Sequence, residues 1–264
     1  MMIAGSITLP EGEIETAWWG GNAKEAPTLV LLHEGLGCVD LWRDVPDKLE
    51  RATGCSVFAY SRFGYGRSDT TPLPRPLDYM QREATDVLPR VLQAAGIHRA
   101  VLIGHSDGGS IAAVYAATAP REPHLIGLVT IAAHFFVEDL NIRSIERIRQ
   151  DYETTELRER LARYHLDVDT AFYGWNGAWL DPGFRAFDLT GYLPKIKVPI
   201  LALQGADDPY GTEEQLTVMK AHIKAPIQVQ LIPNARHSPH LEAKDATLAA
   251  ITRFIGSLPG GPWK

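Results

Sequence analysis

The stretch Leu102-Ile103-Gly104-His105-Ser106-Asp107-Gly108-Gly109-Ser110 decides how the chain is read. The apolar run Ala100-Val101-Leu102-Ile103 leads into it, and an Ala-rich segment from Ser110 to Ala119 leads out, stopping before Pro120. Gly104 and Gly108 stand two residues either side of Ser106. A serine at a tight strand-to-helix turn takes strained backbone angles and needs small neighbours at those positions. The turn lifts the hydroxyl above a sheet edge. It also sets the next amide, that of Asp107, at a helix N-terminus, where it can face a developing oxyanion. The five-residue pattern arises by chance on its own; between a strand and a helix it points to a nucleophile. A capping serine in a glycine-rich loop is the plainer alternative.

A serine hydroxyl is a poor nucleophile without a base and an acid to orient that base. In this arrangement both follow later in the chain, each after a strand. After Pro199-Ile200-Leu201-Ala202-Leu203 comes Gln204-Gly205-Ala206-Asp207-Asp208-Pro209. After Ile227-Gln228-Val229-Gln230-Leu231-Ile232 comes Pro233-Asn234-Ala235-Arg236-His237-Ser238. A triad of Ser106, an aspartate at 207 or 208, and His237 has the required order. Among nine histidines, the position straight after the Pro-Asn turn favours His237 over His240. His105 adjoins the nucleophile and reads as buried and structural. His33 braces a loop, and His134 lines the pocket or packs beside it.

Outward from the elbow, strand and helix patterns alternate. Further apolar runs lie at 28–32, 55–60 and 125–131, without strict alternation, as in strands buried on both faces of a parallel sheet. Residues 3–8 and 13–19 read as a hairpin turning at Pro10-Glu11-Gly12. Helical spacing runs from Asp78 to Ala95, stopped by Gly96, and from Leu241 to Ile255. Such alternation makes an α/β fold with a mostly parallel, doubly wound sheet. The rhythm breaks at 137–194, which is charged and helical first and aromatic later. We read 1–136 and 195–264 as the core and 137–194 as an inserted helical cap.

The composition narrows the function classes. The 264 residues carry 26 Lys+Arg against 32 Asp+Glu, a net charge of −6, with no basic block to track phosphates. Two cysteines, Cys38 and Cys55, make no disulfide framework and are expected as reduced thiols. No metal site and no cofactor are expected. The opening Met1-Met2-Ile3-Ala4-Gly5-Ser6 lacks the features of a secretory signal, and no run of about 18 apolar residues occurs. The expected protein is cytoplasmic and acts on a small-molecule substrate, without nucleic acid or membrane partners. Assembly into a homo-oligomer is left open.

With these motifs in place, the chain resembles the α/β-hydrolase fold superfamily, in its serine-nucleophile branch, over nearly its whole length. The resemblance implies a Gly-x-x-Asp turn for the acid, so Gly205 points to Asp208 and leaves Asp207 a turn or capping role. It also implies a second oxyanion donor from the loop His33-Glu34-Gly35-Leu36-Gly37, which is similar to the family's His-Gly-x-x-Gly loop. Equal spacing puts that amide at Gly35, and a one-residue shift would put it at Leu36. Glu34 stands where a glycine is usual. It either holds the loop or acts as a carboxylate near the substrate. Arg236 replaces the glycine that usually precedes the histidine. In Ser61-Arg62-Phe63-Gly64-Tyr65-Gly66-Arg67-Ser68, similar to another family loop, Ser61 replaces an aspartate. Arg62 is expected in a structural ion pair, or else facing an acidic substrate group.

The expected chemistry is acyl transfer through Ser106, Asp208 and His237, with the amides of Asp107 and Gly35 as the oxyanion hole. Serine at the nucleophile position argues against the dehalogenase and epoxide-hydrolase branches, which use aspartate there. Trp175, Trp179, Phe135 and His134 are the expected substrate-binding residues, and Tyr173, Phe136 and Trp42 are further aromatic candidates. A small or medium carboxylic ester or lactone is the leading substrate. A thioester or a carbon–carbon bond beside a ketone would use the same residues. Lyase or perhydrolase chemistry and a ligand-binding receptor of the same fold are the alternatives from other classes.

Overall fold

The computed structural model describes residues 2–20, 26–119 and 124–263. Its sheet has eight strands: β1 (Met2–Leu9), β2 (Gly12–Trp19), β3 (Thr28–Leu32), β4 (Val57–Tyr60), β5 (Arg99–His105), β6 (His124–Ile131), β7 (Ile200–Gly205) and β8 (Ile227–Ile232). Their spatial order is β1-β2-β4-β3-β5-β6-β7-β8. The first two form the expected hairpin, which joins β4 antiparallel. From β4 to β8 every pairing is parallel.

Helices cover both faces of the sheet: α1 (Val45–Thr53), α2 (Tyr79–Arg82), α3 (Leu88–Ala94), α4 (Asp107–Thr118), α5 (Asp139–Thr154), α6 (Leu157–Leu161), α7 (Val168–Leu180), α8 (Glu214–His222), α9 (Pro239–Glu242) and α10 (Lys244–Ser257). Successive strand residues point to opposite faces. Leu29, Leu31, Val57 and Ala59 join a core with Val45, Leu49, Ile251 and Phe254. Val30, Leu32, Phe58 and Tyr60 join the other, with Leu88, Val91, Ile111 and Trp179. Burial on both faces is why these runs are apolar without alternation.

The helix expected over 78–95 is continuous, but its turn at Glu83–Val87 is widened to π geometry. Pro89 follows this turn. It has no N–H to offer the carbonyl four residues back, so regular α bonding cannot run through it. Gly96, at φ +66°, closes the segment. The helix expected over 241–255 instead divides into α9 and α10 at Ala243, which leaves helical angles (φ −123°, ψ 53°). The Pro239 carbonyl accepts both the Ala243 amide and the Thr247 hydroxyl, each at 2.9 Å, which ties α10 to the start of α9 across the break. The expected stop at Pro120 lies outside the described residues.

Between β6 and β7 the chain leaves the sheet through α5, α6 and α7 and two short 3₁₀ turns. Helices α5 and α7 are tied by the Asn176 side chain, which donates to the Ile145 carbonyl at 3.1 Å. Tyr152 stacks on Phe172 with ring centroids 3.6 Å apart. Trp175 and Trp179, four residues apart, share one face of α7.

The topology itself sets where a site can form. From β3 the chain steps to β4 on one side, and from β4 it returns to β5 on the other. The order reverses there, so the connections diverge and leave a crevice at the carboxyl ends of β3 and β5. The loop at 33–37 and Ser106 both lie at that crevice.

Candidate active site

Ser106 has φ 51° and ψ −119°, a strained conformation for a residue with a side chain, and α4 begins at the next residue. The flanking glycines are required by contact. A Cβ on Gly104 would meet the Gly108 carbonyl oxygen at 2.2 Å, and one on Gly108 would meet the Leu32 carbonyl oxygen at 2.0 Å. Helix α4 thus packs backbone against backbone on β3, and the strained serine is held at the crevice.

The loops after β7 and β8 bring the acid to the base. His237 Nδ1 lies 2.9 Å from Asp208 Oδ1 and 3.0 Å from Oδ2. Asp208 also accepts from the Tyr210 amide at 2.9 Å. Its side chain is 1% exposed, whereas Asp207 is exposed to solvent. Burial would raise the Asp208 pKa, but the charge and hydrogen bond of His237 outweigh it and hold the carboxyl below its usual value. His237 and Ser106 line the same cavity. Among the described residues no hydrogen bond joins their side chains, a looseness common before substrate binds.

The loop after β3 is fastened by its own neighbours. His33 Nδ1 donates to the Glu34 carbonyl at 2.7 Å, and its Nε2 accepts the Arg62 amide at 3.0 Å. Accepting through Nε2 needs the neutral ring, and burial does push His33 well below its ordinary pKa. Arg62 differs from expectation. It makes no ion pair among the described residues; its guanidinium donates to the carbonyls of His33 (2.5 Å) and Glu34 (3.0 Å). The buried guanidinium has two loop carbonyls within reach, and they stand in for an acid. Gly35 sits under Trp175: a Cβ there would lie 2.1 Å from the indole nitrogen. The Glu34 side chain reaches His105, with Oε2 3.3 Å from Nδ1, and His105 Nε2 lies 2.8 Å from the His237 carbonyl.

The cavity measures about 100 Å³. Trp175, Trp179 and His134 line it, together with Gly35 and the Asp107 segment. Phe135 does not, and its expected substrate role is corrected. The residue is fully buried in the core, its amide donates to Gln215 Oε1 at 2.8 Å, and its carbonyl accepts from Leu189 at 2.7 Å. These bonds turn Phe135 away from the side that its neighbour His134 faces. Phe136, Tyr173 and Trp42 also lie outside the lining. Trp42 packs on His240, ring centroids 5.2 Å apart. Leu36, the alternative oxyanion position, lines the cavity as well, and Asn141, Ile145 and Tyr210 do so without having been anticipated. Asn141 and Tyr210 meet through a bond from the Asn141 amide group to the Tyr210 carbonyl. Nothing local to either residue signals that meeting.

Cys38 and Cys55 are free and buried, and burial pushes the Cys38 thiol up to about 12. Among the described residues no group of three or more His, Cys, Asp or Glu is placed to hold a metal ion, and no helix is long and apolar enough to cross a membrane.

Comparison with known proteins agrees with this architecture. The model of the alpha/beta hydrolase family matches residues 29–250. Serine hydrolase BPHL of Homo sapiens is 28% identical over 203 residues, which cover 72% of this chain and 66% of that protein, just under two thirds of its length. The bifunctional esterase/perhydrolase DCH of Acinetobacter calcoaceticus is 28% identical over 237 residues, covering 77% and 82% respectively. Among solved structures, a hydrolase from Pseudomonas aeruginosa PA01 matches with a TM-score of 0.74 at 21% identity, covering 96% of this chain and 98% of that one. At that identity the likeness speaks for the fold alone.

Proposed function

Because this chain belongs to the alpha/beta hydrolase family, we propose that it is a serine hydrolase cleaving a small or medium carboxylic ester or lactone through an acyl-enzyme on Ser106. One observation carries the reading: His237, anchored on Asp208, lines one cavity with a strained Ser106.

The Nδ1–H bond to Asp208 leaves Nε2 as the basic nitrogen. His237 takes the Ser106 proton through it as the hydroxyl attacks the substrate carbonyl, and Asp208 stabilises the imidazolium that forms. The amides of Asp107 and Gly35 receive the oxyanion, where one donor is typically worth about 3–4 kcal/mol. His237 then protonates the leaving alkoxide. Water, deprotonated by the same nitrogen, releases the acid.

The volume supports a small acyl group. About 100 Å³ is below the roughly 300–1,000 Å³ of sites that enclose drug-sized ligands. In this reading residues 137–194 form the cap, and Trp175 and Trp179 press its apolar face on the acyl group. A perhydrolase activity is the second reading, favoured by the likeness to the esterase/perhydrolase of Acinetobacter calcoaceticus. There peroxide replaces water in attacking the acyl-enzyme, and no new residue is needed.

The test is labelling by a fluorophosphonate probe, followed by a p-nitrophenyl ester series from acetate to octanoate, with and without peroxide. Labelling and turnover should vanish in Ser106→Ala, and acyl groups of up to about four carbons should be preferred. Turnover that survives Ser106→Ala would overturn the reading.

A further inference from the structure

His105 is buried, and each of its ring nitrogens faces an oxygen atom: Nδ1 the Glu34 carboxylate at 3.3 Å, Nε2 the His237 backbone carbonyl at 2.8 Å. A carbonyl oxygen can only accept, so Nε2 carries a proton. A neutral ring would then turn the bare lone pair of Nδ1 toward a carboxylate. A second proton removes that repulsion. It resides on the imidazole, the more basic partner, because the Glu34 side chain keeps 28% of its exposure and is partly hydrated.

We propose that Glu34 holds His105 as an imidazolium and that this pair positions the backbone of His237 relative to Ser106. The catalytic consequence rests on the serine-hydrolase reading. His105 is joined by one peptide bond to Ser106, and its side chain reaches the carbonyl of the base. A single residue therefore spans from the nucleophile segment to the histidine segment and limits how far they can separate. Glu34 is a positioning residue here, acting through His105.

The surroundings of His105 are consistent with a cation. From the histidine loop it meets the rings of His237 and His240, at centroid distances of 5.1 and 4.6 Å. The loop after β7 contributes the Asp208 carboxylate nearby. The loop after β3 contributes Glu34, with the neutral His33 beside it. Burial pushes His240 well below its ordinary pKa, so it adds no second positive charge. Burial also opposes charge on His105, but the Glu34 hydrogen bond and charge overcome it and raise its pKa. In return, burial would raise Glu34, and His105 brings it below its usual range.

Glu34→Gln keeps the shape and removes the charge. At pH 8 its kcat should fall about 10–100-fold, the scale of losing a hydrogen bond to a charged group, with KM little changed. The ratio of its kcat to that of the unaltered protein should climb as pH falls from 8 to 6, because protonating His105 restores the charge-assisted form of its hydrogen bond to the His237 carbonyl. His105→Gln, whose amide nitrogen lies near the position of Nε2, should retain much more activity than His105→Asn. In the ¹⁵N–¹H spectrum of the unaltered protein, His105 should show both ring N–H groups at pH 7.5. A single ring proton there, or a pH-independent kcat ratio for Glu34→Gln, overturns the proposal. Failure of the unaltered protein to be labelled at Ser106 would instead sink the hydrolase reading, and the spectrum would still decide the charge on His105.

Discussion

His237 Nδ1 stands between the two carboxylate oxygens of Asp208, at 2.9 and 3.0 Å. An N–H held this way fixes the tautomer and leaves Nε2 to act as base. Asp208→Asn presents an amide that can donate to Nδ1 and stabilise the wrong tautomer. We expect kcat to drop by about 10³–10⁴-fold with little change in KM. Asp207 is exposed, so Asp207→Asn should change kcat/KM by no more than about twofold, the scale of an ordinary surface substitution. Steady-state kinetics on the two variants decide between them, and the opposite ranking would move the acid to Asp207.

The glycines around the elbow make a prediction about stability. A Cβ at Gly108 would sit 2.0 Å from the Leu32 carbonyl oxygen and 2.6 Å from that of His33. Both obstacles are backbone and cannot swing aside. Gly108→Ala should cost about 4 kcal/mol or more, or abolish folding. Gly96 has φ +66° but nothing within 4 Å of its Cβ position, so Gly96→Ala should cost only the left-handed backbone penalty, about 1–2 kcal/mol. Thermal denaturation of both variants tests the contrast. Equal losses would mean that α4 does not pack on β3 as described.

The legible features were those written in a few adjacent residues. The glycine spacing around Ser106, the positions of Asp208 and His237 after apolar runs, and the period of the strands all survive in one dimension. Contacts that depend on how distant segments meet were not legible. His134 and Phe135 are neighbours, yet one faces the cavity and the other is turned into the core by Gln215 and Leu189. Composition cannot say which of two adjacent residues turns inward beyond a strand end. Arg62 reads as a charge in search of an acid, whereas backbone carbonyls of the adjacent loop satisfy it. Tyr210 and Asn141 enter the lining because α5 reaches the loop after β7, a meeting of segments about 70 residues apart that no motif marks.

Trp175 is predicted to set the upper size of the acyl group. Its indole lies against Gly35, 2.1 Å from where a Cβ would stand, so the ring closes the cavity beside the proposed oxyanion amide. Trp175→Ala should raise the ratio of kcat/KM for hexanoate over acetate by about tenfold or more, as expected when a hydrophobic pocket gains room for methylenes. Trp179 serves the fold as well: its Nε1 donates to Tyr79 at 3.1 Å, and its ring packs on Phe184. Trp179→Ala should therefore lose about 3–5 kcal/mol of stability. An unchanged chain-length profile in Trp175→Ala would place acyl binding elsewhere.

Glu83 offers a test of the core's electrostatics away from the chemistry. It is buried in the widened turn of the helix after β4 and accepts a hydrogen bond from the Tyr60 hydroxyl at 2.8 Å. Burial raises its pKa, and although Arg62 and Arg75 pull the other way, burial prevails. A carboxyl raised in the folded state binds more protons folded than unfolded over the intervening pH range. Folding stability therefore falls as pH rises from the unfolded carboxyl value through the folded one. Above that window the protein bears the full cost of a buried anion; below it, none. Glu83→Gln keeps an acceptor for Tyr60 and removes the ionisation. Its melting temperature should exceed that of the unaltered protein at pH 8, with the advantage vanishing near pH 4, where Glu83 is neutral in both states. Melting curves across that range check the sign. A variant less stable at pH 8 than at pH 4, each measured against the unaltered protein, would show that the arginines and not burial govern this carboxyl.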